Sequence, residues 1–95
     1  MAKFGELISF NKPVLIDFYS DVNENIINTL RDVAAALGDK AKVIKIDVKQ
    51  NEMLADALQV KGNPTFVIYK NGELKWRQTG TQDANTLIGL MQKYV

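Results

Sequence analysis

The chain contains neither cysteine nor histidine. Disulfides and thiolate or imidazole catalysis are therefore excluded, and zinc, copper or haem sites of the usual type are disfavoured. No apolar run approaches the roughly 20 residues of a membrane span, and no signal peptide is recognisable at the N-terminus. Twelve basic and eleven acidic residues give a net charge of +1 without a charge block. We therefore expect no nucleic-acid binding, no membrane binding and a cytoplasmic location.

The residues that are present have the composition of one globular domain. Ninety-five residues with a 46% apolar fraction suit a single domain, residues 1–95. The hydrophobic pattern predicts strands over 14–19, 43–48, 65–70 and 74–79, and helices near 4–10, over 22–37, over 51–58 and from 83 or 85 onward. Ser20 or Asp21 is the predicted cap of the longest helix. Asn71-Gly72 predicts a hairpin, because both residues tolerate positive φ. The order αβαβαββα predicts an α/β domain with a mixed sheet flanked by helices.

Two segments carry a family resemblance. Residues 13–21 read PVLIDFYSD and residues 62–73 read GNPTFVIYKNGE, and this pairing resembles thioredoxin. The resemblance extends to the C-terminus and implies the thioredoxin fold, with four strands, or five if a first edge strand is present. It implies family positions as follows: Asp17 at the buried aspartate, Lys45 at its neighbouring lysine, Pro64 at the cis-proline and Gly80 at the glycine flanking the substrate groove.

The dithiol of that family is missing. Where the family reads Trp-Cys-Gly-Pro-Cys, residues 22–26 read VNENI. Asn23 takes the place of the attacking cysteine and Ile26 that of the resolving cysteine, and neither can form a mixed disulfide. We therefore expect no catalytic residue and no enzyme activity, although family members are protein disulfide oxidoreductases. Asp21 and Glu24 suit the positive end of a helix, so the site can be interpreted as rebuilt ordinary helix.

Pro64 is the position that can still act without cysteine. The backbone before this proline pairs with an extended substrate peptide in thioredoxins, which is strand addition. The resemblance therefore implies a binding groove formed by Asp21, Val22, Asn23, Glu24, Asn63, Pro64, Thr65 and Gly80. Asn63 places a polar side chain where the family is usually aliphatic. The alternative is that the proline serves turn geometry alone.

Asp17 and Lys45 both interrupt apolar strands. We interpret them as a buried ion pair inherited from the family, rather than as a working acid–base pair. No calcium-loop spacing is present among the carboxylates, and we expect neither metal nor cofactor.

Three functions stay open. The first is a non-redox module that binds an unknown protein or extended peptide, with a monomer expected. The others are a thioredoxin-type oxidoreductase that has lost its dithiol and its activity, and a structural subunit.

Overall fold

The computed structural model describes residues 4–95. Its elements are α1 Phe4–Ile8, β1 Val14–Tyr19, α2 Glu24–Leu37, β2 Lys42–Asp47, α3 Glu52–Leu58, β3 Thr65–Lys70, β4 Glu73–Thr79 and α4 Ala84–Gln92, with a 3₁₀ turn at Gly38–Lys40. The predicted order is confirmed, and the boundaries agree to within two residues. In the described part of the chain, no helix has the length and apolar character needed to cross a membrane.

The four strands form one mixed sheet in the order β2-β1-β3-β4. β1 runs parallel to β2 and antiparallel to β3, and β4 closes the sheet through the β3–β4 hairpin. Asn71 and Gly72 form the hairpin turn with φ of 55° and 79°, as predicted. β1 lies inside the sheet, which explains its near-continuous apolar sequence. The thioredoxin fold class is thus confirmed, and residues 4–95 contribute four strands.

Two apolar layers cover the sheet. Side chains alternate along each strand, so Leu15 faces the layer built with α2 and α4, and Ile16 faces the layer that includes residues of α1 and α3. The first layer contains Leu15, Ile26, Leu30, Val33, Leu37, Phe66, Ile68, Leu87 and Met91. The second contains Val14, Ile16, Phe18, Ile46, Ala55, Val60, Val67 and Tyr69. By the same alternation, Asp17 lies on the α2 side of the sheet, below the start of that helix.

Candidate functional site

The start of α2 is closed by its own cap. The Asn23 Oδ1 accepts hydrogen bonds from the backbone N–H groups of Asn25 (2.9 Å) and Ile26 (3.3 Å). The expectation that Ser20 or Asp21 caps this helix is therefore wrong, because the helix begins later, at Glu24. Asn23 satisfies two N–H groups that a helix start otherwise leaves free. Asn23, which the resemblance places at the attacking-cysteine position, therefore acts as a helix cap.

The residues around this cap divide into exposed and buried positions. Asp21, Asn23 and Glu24 are exposed, and the Val22 side chain is 78% exposed. Ile26 is buried in the apolar layer between α2 and the sheet. Ile26, which the resemblance places at the resolving-cysteine position, is thus a core residue, as the interpretation of an ordinary helix requires.

A small pocket opens beneath the start of α2. Its volume is about 40 Å³, and it is lined by Asp17, Tyr19, Asp21, Val22, Asn23, Ile26, Ile27 and Lys45. This is room for the tip of one side chain or very few water molecules. The sequence prediction missed Tyr19 and Ile27. The alternation of β1 would have identified Tyr19, which lies two residues beyond Asp17 on the same face of the strand.

Asp17 is the buried acid of this pocket. Its side chain is 1% exposed, and its Oδ1 has no hydrogen-bond partner in residues 4–95. Burial raises the pKa of Asp17 from 3.8 to about 6, and the nearby Lys45 charge opposes this rise. The carboxyl is thus ionised at neutral pH without the hydrogen bonds that a buried carboxylate normally receives.

Lys45 does not pair with Asp17. The two residues are register neighbours on β1 and β2, but Lys45 is exposed, and the two ion pairs found in the described residues are Lys49–Asp21 and Lys75–Glu73. The expectation of a buried ion pair is therefore wrong. The physical reason is that β2 is an edge strand, so the flexible lysine stem can carry its ammonium group to solvent.

The second side of the expected groove is joined to the first by backbone contacts. The Ser20 N–H donates to the Gly62 carbonyl (2.9 Å), and the Gly80 N–H donates to the Pro64 carbonyl (2.8 Å). A Cβ at Gly62 would lie 2.5 Å from the Ser20 nitrogen. Gly62 is therefore required for the close approach of these two segments, a role that the sequence did not indicate.

Only part of this second side faces outward. Pro64 is buried, and so is Thr65, whose Oγ1 donates to the Lys61 carbonyl at 2.5 Å. Asn63 is exposed. None of Asn63, Pro64, Thr65 or Gly80 lines the pocket over Asp17.

The Asn63–Pro64 peptide bond is trans, since residues 4–95 contain no cis peptide bond. The expectation of a cis-proline is therefore wrong for this chain. A trans bond before proline is favoured by roughly 0.5–1 kcal/mol. The hydrogen bonds that hold this turn, from Ser20 to Gly62 and from Gly80 to Pro64, form with the favoured isomer.

Comparison with known proteins agrees with the fold. Residues 1–93 match the family model described as Thioredoxin. A chloroplastic thioredoxin Y of Oryza sativa subsp. japonica is 38% identical over 92% of this chain, which spans 54% of that protein's length. A thioredoxin-like protein of Synechocystis is 33% identical, with 99% of this chain and 93% of the relative covered.

A solved structure gives the same result. A mutant thioredoxin from Halobacterium salinarum superposes with a TM-score of 0.77 and is 37% identical, with 95% of this chain and 80% of that chain covered. The family match extends over the sheet, the capped helix α2 and the turn at Pro64. The chain is therefore a member of the thioredoxin family, and it contains no cysteine.

Proposed function

We propose that this chain is a thioredoxin-family domain without redox activity that binds a protein or an extended peptide. The chain has no cysteine at any position, so it has no thiolate to begin an exchange reaction. Asn23 is engaged as a helix cap and Ile26 as a core residue. We therefore propose that the chain is not an enzyme.

The proposed binding surface, here called the groove, has two sides. Residues 21–24 form one side, and Asn63, Pro64, Thr65 and Gly80 form the other. The hydrogen bond from Ser20 to Gly62 joins the segments next to the two sides and supports their proximity, and the bond from Gly80 to Pro64 holds the second side together. A partner in this groove would therefore contact the start of α2 and the start of β3 together.

The observation that carries this proposal is the exposure of the Val22 side chain. Val22 lies beside the start of a helix that holds no nucleophile. A valine that is 78% exposed offers apolar area that a partner can bury. Across the groove, Asn63 is exposed, and no hydrogen bond to its backbone N–H or carbonyl is found in residues 4–95. Those two groups can pair with an extended peptide by strand addition. The buried Thr65 would contribute backbone rather than side chain.

A screen of extended peptides with a matched pair of variants tests this function. Val22→Asp places a charge on the groove, and Met53→Asp places the same charge on another exposed apolar residue, 88% exposed, on α3. Both residues are exposed, so both variants should fold. We expect peptides selected on the wild-type chain to lose at least about tenfold in affinity for Val22→Asp and to bind Met53→Asp unchanged. Equal binding to all three proteins would reject the groove.

The location and assembly of the chain are also proposals. We propose a cytoplasmic monomer that binds neither nucleic acid nor membrane, on the basis of its nearly balanced charge of +1. The thioredoxin Y relatives carry the name chloroplastic, so location is best tested directly by fractionation of the source cells. Light scattering of the purified chain tests the monomer, and a particle of twice the 10.6 kDa mass would contradict it.

A further inference from the structure

The pocket over Asp17 contains a hydrogen-bond acceptor without a donor. The Asp17 Oδ1 is buried and unpartnered, and Asp17 lines the pocket under the start of α2. A buried polar atom that lacks a partner is costly, on the order of 1–3 kcal/mol for a neutral group and more for a charged one. A group that enters the pocket and donates a hydrogen bond to this oxygen would remove that cost.

The same pocket also holds a donor without an acceptor. Lys45 lines it from β2, and its ammonium group makes no hydrogen bond or ion pair in the described residues. Asp21, the other charged residue of the lining, is already engaged with Lys49 at 3.2 Å. The pocket therefore has one buried acceptor without a donor, and the exposed Lys45 at its edge can donate to a ligand bound there.

The charges around the pocket disfavour an ionic occupant of either sign. A carboxylate would approach the carboxyl groups of Asp17 and Asp21. An ammonium group would approach Lys45 and the positive N-terminal end of α2. An apolar group would leave the Asp17 oxygen unpartnered. An uncharged group that both donates and accepts hydrogen bonds can pair with the Asp17 oxygen and with the Lys45 ammonium group.

We propose that this pocket binds a primary carboxamide, with the amide N–H₂ donating to Asp17 and the amide oxygen accepting from Lys45. This inference rests on the proposed function, because the carboxamide would belong to an Asn or Gln side chain of the bound peptide. A volume of about 40 Å³ limits the guest to a side-chain tip, so the rest of the peptide lies along the groove.

Acetamide is the probe that tests the pocket alone. The full 95-residue chain, labelled with ¹⁵N, is titrated with acetamide, with isosteric acetate and with methylammonium. We expect acetamide alone to give saturable shifts of the amide signals of Val22, Ile26 and Lys45. Absence of such shifts, or equal shifts with acetate, would overturn the proposal.

Three variants assign the two contacts. Lys45→Met keeps the lysine stem and removes the donor at an exposed position. Asp17→Leu removes the acceptor and keeps the number of side-chain heavy atoms and their branching at Cγ. Lys42→Met is the control, because it alters the same strand on its opposite face. We expect about tenfold or greater loss of acetamide affinity in the first two variants and none in the third, since a hydrogen bond to a charged group is lost each time. Unchanged affinity in Lys45→Met and Asp17→Leu would overturn the assignment.

Peptide pairs separate this inference from the function on which it rests. Selected peptides are compared with Gln, Glu or Leu at each position. If peptide binding requires Val22 but Gln at no position increases the affinity, the groove is supported and the carboxamide site is rejected. If acetamide binds and the variants change its affinity as expected, while no peptide binds, the carboxamide pocket is supported and the peptide-binding function is rejected.

Discussion

Asp17 makes this domain less stable as pH rises, which is the opposite of the usual behaviour of a carboxylate. The pKa of Asp17 rises from 3.8 to about 6 because folding buries the carboxyl among apolar neighbours. Between pH 4 and pH 6 the folded chain keeps a proton that the unfolded chain has released. The free energy of unfolding therefore falls as pH rises through this window. The stabilising effect of the bound proton is complete only at pH values below the pKa of Asp17 in the unfolded chain.

The size of the effect follows from the pKa difference. The rise is about two pKa units, and each unit corresponds to about 1.4 kcal/mol. At pH 4 the unfolded chain has already released part of this proton, so ionised Asp17 should reduce the free energy of unfolding by about 2.5 kcal/mol at pH 7.5 relative to pH 4. The side chain is 1% exposed, so screening by solvent should remove little of this penalty.

Asp17→Asn provides the measurement, because asparagine has the shape of the protonated acid and does not titrate. Urea unfolding of both proteins is followed from pH 4 to pH 8. We expect the variant to gain about 2.5 kcal/mol over the wild type across this range, with most of the change between pH 4 and pH 6. Asp32→Asn, at an exposed position of α2, should track the wild type. A difference between Asp17→Asn and the wild type that does not vary with pH would refute the reasoning.

Three further outcomes are expected. Asn23→Ala should lose about 1 kcal/mol of unfolding free energy, measured by urea unfolding, because the cap oxygen is removed. Asn23→Asp should retain this free energy, because its carboxylate keeps an oxygen at the cap. Equal losses in the two variants would contradict the capping role. Gly62→Ala should destabilise the domain by about 2 kcal/mol or more, because the added Cβ would lie 2.5 Å from the Ser20 nitrogen. The control Gly89→Ala lies in a helix with open space around it, so it should be neutral or stabilising. In insulin reduction with dithiothreitol, the rate should equal that of buffer, and clear catalysed turnover would contradict the proposed lack of redox activity.

The sequence predicts the elements of this fold well because their signals are local. The apolar run of β1, the 3.6-residue period of α2 and the turn at Asn71-Gly72 each depend on a few neighbouring residues. The family motif adds the pairing of distant segments, since it identifies the segments around Asp17 and Pro64 as parts of one site. The elements and the fold are confirmed, whereas the joint site stays a prediction.

The errors concern contacts that form only in three dimensions. Whether Lys45 is buried depends on β2 lying at the edge of the sheet, which its own sequence does not reveal. Whether Asn23 or Asp21 caps α2 depends on where the preceding loop ends. The bond before Pro64 is trans, which is the isomer favoured intrinsically, whereas the cis form was implied by the family resemblance alone. For Lys45 and Asn23, several local patterns were compatible with the sequence, and the tertiary contacts selected one.

The position of β2 also affects how copies of this chain meet. An outer strand presents backbone N–H and carbonyl groups along one side, and such edges promote aggregation when they are flat and apolar. Lys42 and Lys45 are both exposed on this strand, and they project from opposite faces because their positions differ by an odd number. A second copy approaching the edge therefore meets a positive charge above and below the sheet. These two lysines protect the colloidal stability of the domain, whatever partner it binds elsewhere.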